Sequence, residues 1–135
     1  MDNHHDVNQP VIDINYHCAR KEIIRLCVYL DSHINDQINL AKMQEISGLS
    51  PRSIQYAFRK YMGCRPLEWL RNERLKIAMI QLNSHHPKNI NITSISYDLG
   101  FPNSSIFSKY FKKKFGENPS IVLARHKQKI TINAF

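Results

Sequence analysis

The chain has 135 residues, with 19 Lys and Arg against 11 Asp and Glu, a net charge of +8 and a pI near 9.6. That length suits one domain or two very small ones, and an apolar content of 42% is enough for a packed interior, which excludes wholesale disorder. No apolar run approaches the roughly 18 residues of a membrane span, the opening MDNHHDVNQP lacks the regions of a secretory signal, and Cys18, Cys27 and Cys64 form no CxxC or paired-ligand spacing. The expected location is therefore the cytoplasm, with no membrane association, no disulfide frame, no metal and no cofactor.

Residues 1–18 are rich in Asn, His and Asp without sustained periodicity and read as a flexible lead-in. From Arg20 the pattern changes: Ile23, Cys27, Leu30 and Ile34 draw one apolar stripe on a helix expected to end near Asn35-Asp36. Asn39 is placed to cap a short helix through Ser47, with Leu40, Met43 and Ile46 inward and Gly48 as its stop. Ser50 followed by Pro51 starts the next helix, because the hydroxyl satisfies a free amide and proline at the first position has no amide to waste. This helix runs to about Met62, with Ile54, Phe58 and Tyr61 inward and Gly63 ending it. Pro66 opens a connecting helix to about Leu82 that carries Leu75, Ala78 and Leu82 on one face, and SHHPKN follows as a loop in which His85 and His86 read as solvated.

A second cycle then begins. Ile92, Ile95 and Leu99 lie on a short helix, Gly100 marks a turn, and Asn103 caps a helix to about Phe115 before Gly116 and Pro119. Phe58, Lys60, Gly63 and Pro66 recur as Phe111, Lys113, Gly116 and Pro119, always 53 positions later, whereas Met43, Gly48 and Leu49 recur as Ile95, Gly100 and Phe101 after 52, so the second turn is one residue longer. The repeat covers about 39–66 and 91–119. No strand-like alternation of useful length occurs, so the fold is expected to be all-α: two helix-turn-helix subdomains, 19–65 and 84–128, joined by a connecting helix over 66–83, with a tail at 129–135.

The charge is unevenly placed. Residues 1–48 hold 4 Lys/Arg and 7 Asp/Glu, net −3, while residues 49–135 hold 15 and 4, net +11, which makes the second part a candidate for binding a polyanion. In the helix after the first turn Arg52, Gln55, Tyr56 and Arg59 share one side, opposite Ile54 and Phe58. Arg pairs with guanine in two-pronged fashion, Gln with adenine, and Tyr touches a thymine methyl or a phosphate. The corresponding face of the second copy carries Ser104, Ser105, Ser108, Lys109 and Lys112, a shorter and less discriminating set. An α-helix fits the DNA major groove, and a helix-turn-helix puts its second helix there. Lys60, Lys113, Lys114, Arg125, Lys127 and Lys129 then surround the two readers as phosphate-neutralising charges. Two readers running in the same direction on one chain imply an asymmetric site rather than a palindrome, reached by a monomer.

The stretches LSPRSIQYAFRKYMGCRPLEWL, RLKIAMIQL and ITSISYDLGFPNSSIFSKYFKKKFGENPS resemble the DNA-binding domain of the AraC/XylS family, over about residues 20–127. The third is the most diagnostic, since I-x-x-I-x-x-x-x-G-F followed by F-S-x-x-F-K-x-x-F-G-x-x-P is similar to the family's signature region. The resemblance implies a bacterial transcription factor, usually an activator, that binds promoter DNA at the nucleoid and contacts RNA polymerase. It places base-reading residues at Arg52, Gln55 and Tyr56 and at Ser104, Ser105, Ser108 and Lys109; beside them Ser50, Arg59, Lys60, Asn103, Lys112, Lys113 and Lys114 are expected as phosphate contacts. Many members also carry a sensing or dimerisation domain, so the chain is either a stand-alone regulator or the DNA-binding part of a longer protein.

Three departures from the family pattern bear on packing. Gln44 and Ser96 stand where a small alanine is preferred between paired helices; serine should fit, while glutamine must turn outward or push the helices apart. After Pro119, IVLARH lacks the aromatic often found there. The rival readings are an enzyme, against which the absence of GxGxxG, GxxxxGK[ST], HExxH and GxSxG argues, and a helical adaptor that uses Trp69 and Leu70 as an anchor without reading DNA.

Overall fold

The computed structural model describes the backbone of residues 9–84 and 90–133, and side chains within 20–84 and 90–128. Among the described residues it is all-helical: α1 (Gln9–Ser32), α2 (Leu40–Ser47), α3 (Pro51–Met62), α4 (Pro66–Leu82), α5 (Ile92–Asp98), α6 (Ser104–Phe115) and α7 (Pro119–Asn133). None is long and apolar enough to cross a membrane.

The helix boundaries follow local chemistry. Asn39, Ser50, Asn91 and Asn103 each sit in extended backbone and accept a hydrogen bond from an amide in the first turn, which satisfies a donor the helix itself leaves open. Asn91 and Ser94 do so reciprocally, each side chain accepting from the other's amide. Gly48, Gly63 and Gly116 end α2, α3 and α6 with φ of 74°, 74° and 85°, and each glycine amide donates to a carbonyl four residues back.

Three boundaries differ from the sequence reading. α1 starts at Gln9, ahead of the stripe at Arg20, with Pro10 in its first turn, where no amide is required; the residues before Gln9, with His4 and His5, lie outside the described residues, as does the loop at 85–89 with His85 and His86. α1 also ends at Ser32 rather than near Asp36: the His33 amide closes it on the Tyr29 and Leu30 carbonyls, and beyond it the carbonyls of Ile34 and Asp36 accept from the Arg74 guanidinium. α7 continues to Asn133, through most of the segment expected to be a tail.

Two compact units result, and the division falls inside α4. The first combines α1 with Ile38–Leu70, and the second combines Ile34–Gln37 with Arg71 onward. In the first, α1, α2 and α3 pack on one another and bury Ile23, Leu26, Leu30, Met43, Ile54, Ala57, Phe58 and Leu70. Trp69 meets Phe58 edge-on at 5.8 Å, so with the buried Leu70 it serves the interior rather than an exposed anchor. Gln44 is exposed and leaves the helix pairing undisturbed.

In the second unit Leu75, Ala78 and Leu82 of α4 join Ile95, Leu99, Phe101, Phe107, Phe111, Val122 and Leu123 in one cluster. Phe107 lies between Phe101 and Phe111, with centroids 5.1 and 5.7 Å away, and full burial of each such ring is worth roughly 1.5–3 kcal/mol. Ser96 is fully buried and its hydroxyl donates to the Thr93 carbonyl at 2.8 Å, so the serine fits as expected. Val122 and Leu123 fill the place after Pro119 where an aromatic was missing.

Candidate nucleic-acid interface

α3 is built to show one polar face. Ile54, Ala57 and Phe58 are buried, which turns Arg52, Gln55, Tyr56 and Arg59 together toward solvent with Lys60 beside them; Tyr56 is 50% exposed. A large aromatic held half in water amid two arginines is not required by the core. The N-cap fixes the first turn, since Ser50 Oγ accepts from the Ser53 amide at 3.2 Å and lies 3.1 Å from the Ser53 hydroxyl. Ser50 therefore fixes the first turn of α3.

α6 repeats the arrangement with different chemistry. Phe107 and Phe111 point inward, Ser105, Lys109, Lys112 and Lys113 are exposed, and Ser104 and Ser108 lie half-buried on the flank. Only part of the expected serine set thus faces fully outward. Asn103 Oδ1 accepts from the Ile106 amide at 2.8 Å, the counterpart of the Ser50 cap. Lys112, Lys113 and Lys114 occupy the last turn, where they also complement the helix dipole, and Lys114 Nζ stands 5.6 Å over the Phe115 ring.

Neither helix carries an acidic residue, so α3 holds three positive charges (Arg52, Arg59 and Lys60) and α6 holds four (Lys109, Lys112, Lys113 and Lys114). The other expected phosphate ligands fare differently. Arg125 forms a two-pronged pair with Glu117, at 3.0 and 2.7 Å, which holds the Glu117 carboxyl below its ordinary range through the hydrogen bond. Lys127 is exposed, and the side chain of Lys129 lies outside the described residues.

Two residues of this unit escaped the sequence reading. Ile106 is 37% exposed on α6, in line with Lys109 and Lys113 at helical spacing; drawing the helix with Phe107 and Phe111 inward would have revealed it. Arg74 is half-buried, its Nε donating to Ile34 O at 2.9 Å, and burial lowers its pKa more than nearby Asp36 raises it. No local pattern marks a partner 40 residues away.

A profile described as a helix-turn-helix domain matches residues 43–125. The XylDLEGF operon transcriptional activator 2 of Pseudomonas putida is 30% identical over 105 residues, covering 78% of this chain and 67% of that protein. Against two longer Pseudomonas putida relatives the chain spans about a third of their length. Among solved structures, a probable AraC family transcriptional regulator from Rhodopseudomonas palustris CGA009 superposes with a TM-score of 0.71 at 25% identity, covering 78% of this chain and 97% of that one. The DNA-binding domain of AdpA, solved in complex with a target DNA, shares the fold with a TM-score of 0.73 at 18% identity, covering 80% of this chain and 95% of that one. Together with the repeated, capped and positively charged helices α3 and α6, these matches show that the chain belongs to the AraC/XylS family of DNA-binding transcriptional regulators.

Proposed function

We propose that this protein binds one asymmetric promoter site by laying α3 and α6 into successive major-groove segments, and that it activates transcription from there. The observation that carries the reading is the repetition of one device: a capped helix start, an inward aromatic and an outward face without a single acid. Segments 19–65 and 84–128 are the two DNA-docking subdomains, with 66–83 joining them. Arg52, Gln55 and Tyr56 read bases in the first box. Lys109 and Ser105, with Ser104 and Ser108 at the flank, serve the second box, where short hydroxyls position the protein on the backbone more than they select sequence. Ser50, Arg59, Lys60, Asn103, Lys112, Lys113 and Lys114 hold phosphates. The activator's role is supported by a relative named as an operon transcriptional activator, and contact with RNA polymerase and residence at the bacterial nucleoid are inferred from the family resemblance.

The test is selection of bound duplexes from a randomised pool by the purified chain, followed by footprinting. The expected result is a non-palindromic consensus of two boxes about 10 base pairs apart, occupied by one chain. A palindromic consensus defeats the monomeric geometry. Salt-sensitive retention without a consensus identifies an architectural protein, and no retention identifies an adaptor.

A further inference from the structure

α6 exposes one large apolar side chain among the described residues, and it sits where a reader helix meets bases. Ile106 is the third residue of the helix, its amide held by the Asn103 cap at 2.8 Å. Residues in the first turns of a recognition helix approach base edges most closely. Ile106 lies on the outward side of α6, 37% exposed, while Tyr110 and Phe115 of the same helix pack on the core of its unit. Nor does the helix need it, because a β-branched residue is a poorer helix former than the alanine or lysine that a solvated position usually carries.

The internal repeat sharpens the contrast. The equivalent position in α3 is Ser53, 53 residues earlier, whose amide makes the same cap bond to Ser50 and whose hydroxyl lies 3.1 Å from the Ser50 hydroxyl. One register therefore holds a small polar residue in α3 and a bulky, partly exposed hydrocarbon in α6. Lys109 and Lys113 continue the stripe below Ile106, so a polyanion drawn to the ammonium groups brings the isoleucine against whatever lies between its phosphates. In the major groove the apolar group available there is the C5-methyl of thymine.

Resting on the DNA-reading function proposed above, we infer that Ile106 is a specificity-determining residue of α6 whose side chain packs on the methyl group of one thymine. The otherwise polar serine and lysine set thereby gains a base preference that its hydroxyls and ammonium groups do not supply.

The experiment uses the full chain and its selected duplex, with each thymine of the second box replaced singly by deoxyuridine, which removes only the methyl group. Wild-type protein should bind roughly fourfold more weakly to one such duplex, the worth of about one buried methyl. Ile106→Ala should bind the parent duplex more weakly by a similar factor and show no further loss with deoxyuridine at that position. Alanine favours the helix, so the variant keeps its fold. If no position is sensitive to the methyl group, or if Ile106→Ala retains the full penalty, the assignment of Ile106 is overturned while the DNA-reading function stands. If no consensus is selected at all, both fall together.

Discussion

The guanidinium of Arg74 lies 3.0 Å from the point where a side chain at Gly100 would begin. Gly100 holds φ of +82° at the second turn, and Arg74 reaches past it from α4 to the carbonyls of Ile34 and Asp36. The turn before the second reader, the segment after α1 and the connecting helix are thus tied at one charged group. Gly48, at the equivalent place in the first unit, has the same backbone conformation but nothing within 4 Å of a side chain's first atom.

The two glycines should therefore respond unequally to alanine. Gly48→Ala meets only the left-handed backbone penalty, about 1–2 kcal/mol, whereas Gly100→Ala must also displace Arg74 and should cost about 1 kcal/mol more. Urea midpoints of the two variants measure the difference, and equal losses would show that the guanidinium yields freely.

Arg74→Met removes the donors that satisfy two carbonyls and should destabilise the protein by about 2 kcal/mol. In combination with Gly100→Ala the losses should be less than additive by roughly 1 kcal/mol, since the clash has gone with the guanidinium. A double-mutant cycle in urea reads this coupling, and strict additivity would refute the contact.

Arg52→Ala should weaken binding to the selected duplex by about 1–3 kcal/mol and relax the preference at one base pair of the first box. A panel of single-base variants checks it: uniform weakening across the panel would reassign Arg52 to the phosphates.

Lys112→Ala and Lys113→Ala should act differently, weakening all sequences alike. Each should lower the slope of log affinity against log salt by about 1, because one phosphate keeps its counterion when the ammonium group is removed. An unchanged slope would mean that these lysines serve only the end of α6, where their charge complements the helix dipole.

The Glu117 and Arg125 pair gives stability a defined pH dependence. Arg125 holds the Glu117 carboxyl below its ordinary value of 4.5, so the unfolded chain takes up the proton first as the pH falls. The contribution is complete above that value and is lost as the pH drops through the lower, folded one. Wild type and Glu117→Gln should therefore differ in urea midpoint at pH 7 and converge as the pH falls below the ordinary carboxylate range, by a small amount because the pair is exposed.

By itself, the sequence determined where α2, α3, α4 and α6 begin and end. Ser50 and Asn103 cap their helices, Gly48, Gly63, Gly100 and Gly116 hold positive φ, and the 53-residue echo of Phe58 in Phe111 marks the two inward aromatics. These are local effects, set by a hydroxyl or amide three residues from its donor, by a missing Cβ, or by helical spacing. The outward face of α3 was legible for the same reason, because Ile54 and Phe58 fix it by opposition.

Tertiary structure alone decided which exposed positions stay exposed and which distant groups meet. Ser104 and Ser108 became half-buried on the flank of α6, and Ile106 stayed partly exposed. Both outcomes depend on how far a neighbouring element covers each side of the helix, which periodicity does not encode. Beyond the end of α1, the Ile34 carbonyl found its donor in Arg74, 40 residues further along the chain. Such a contact depends on a partner brought close only by folding.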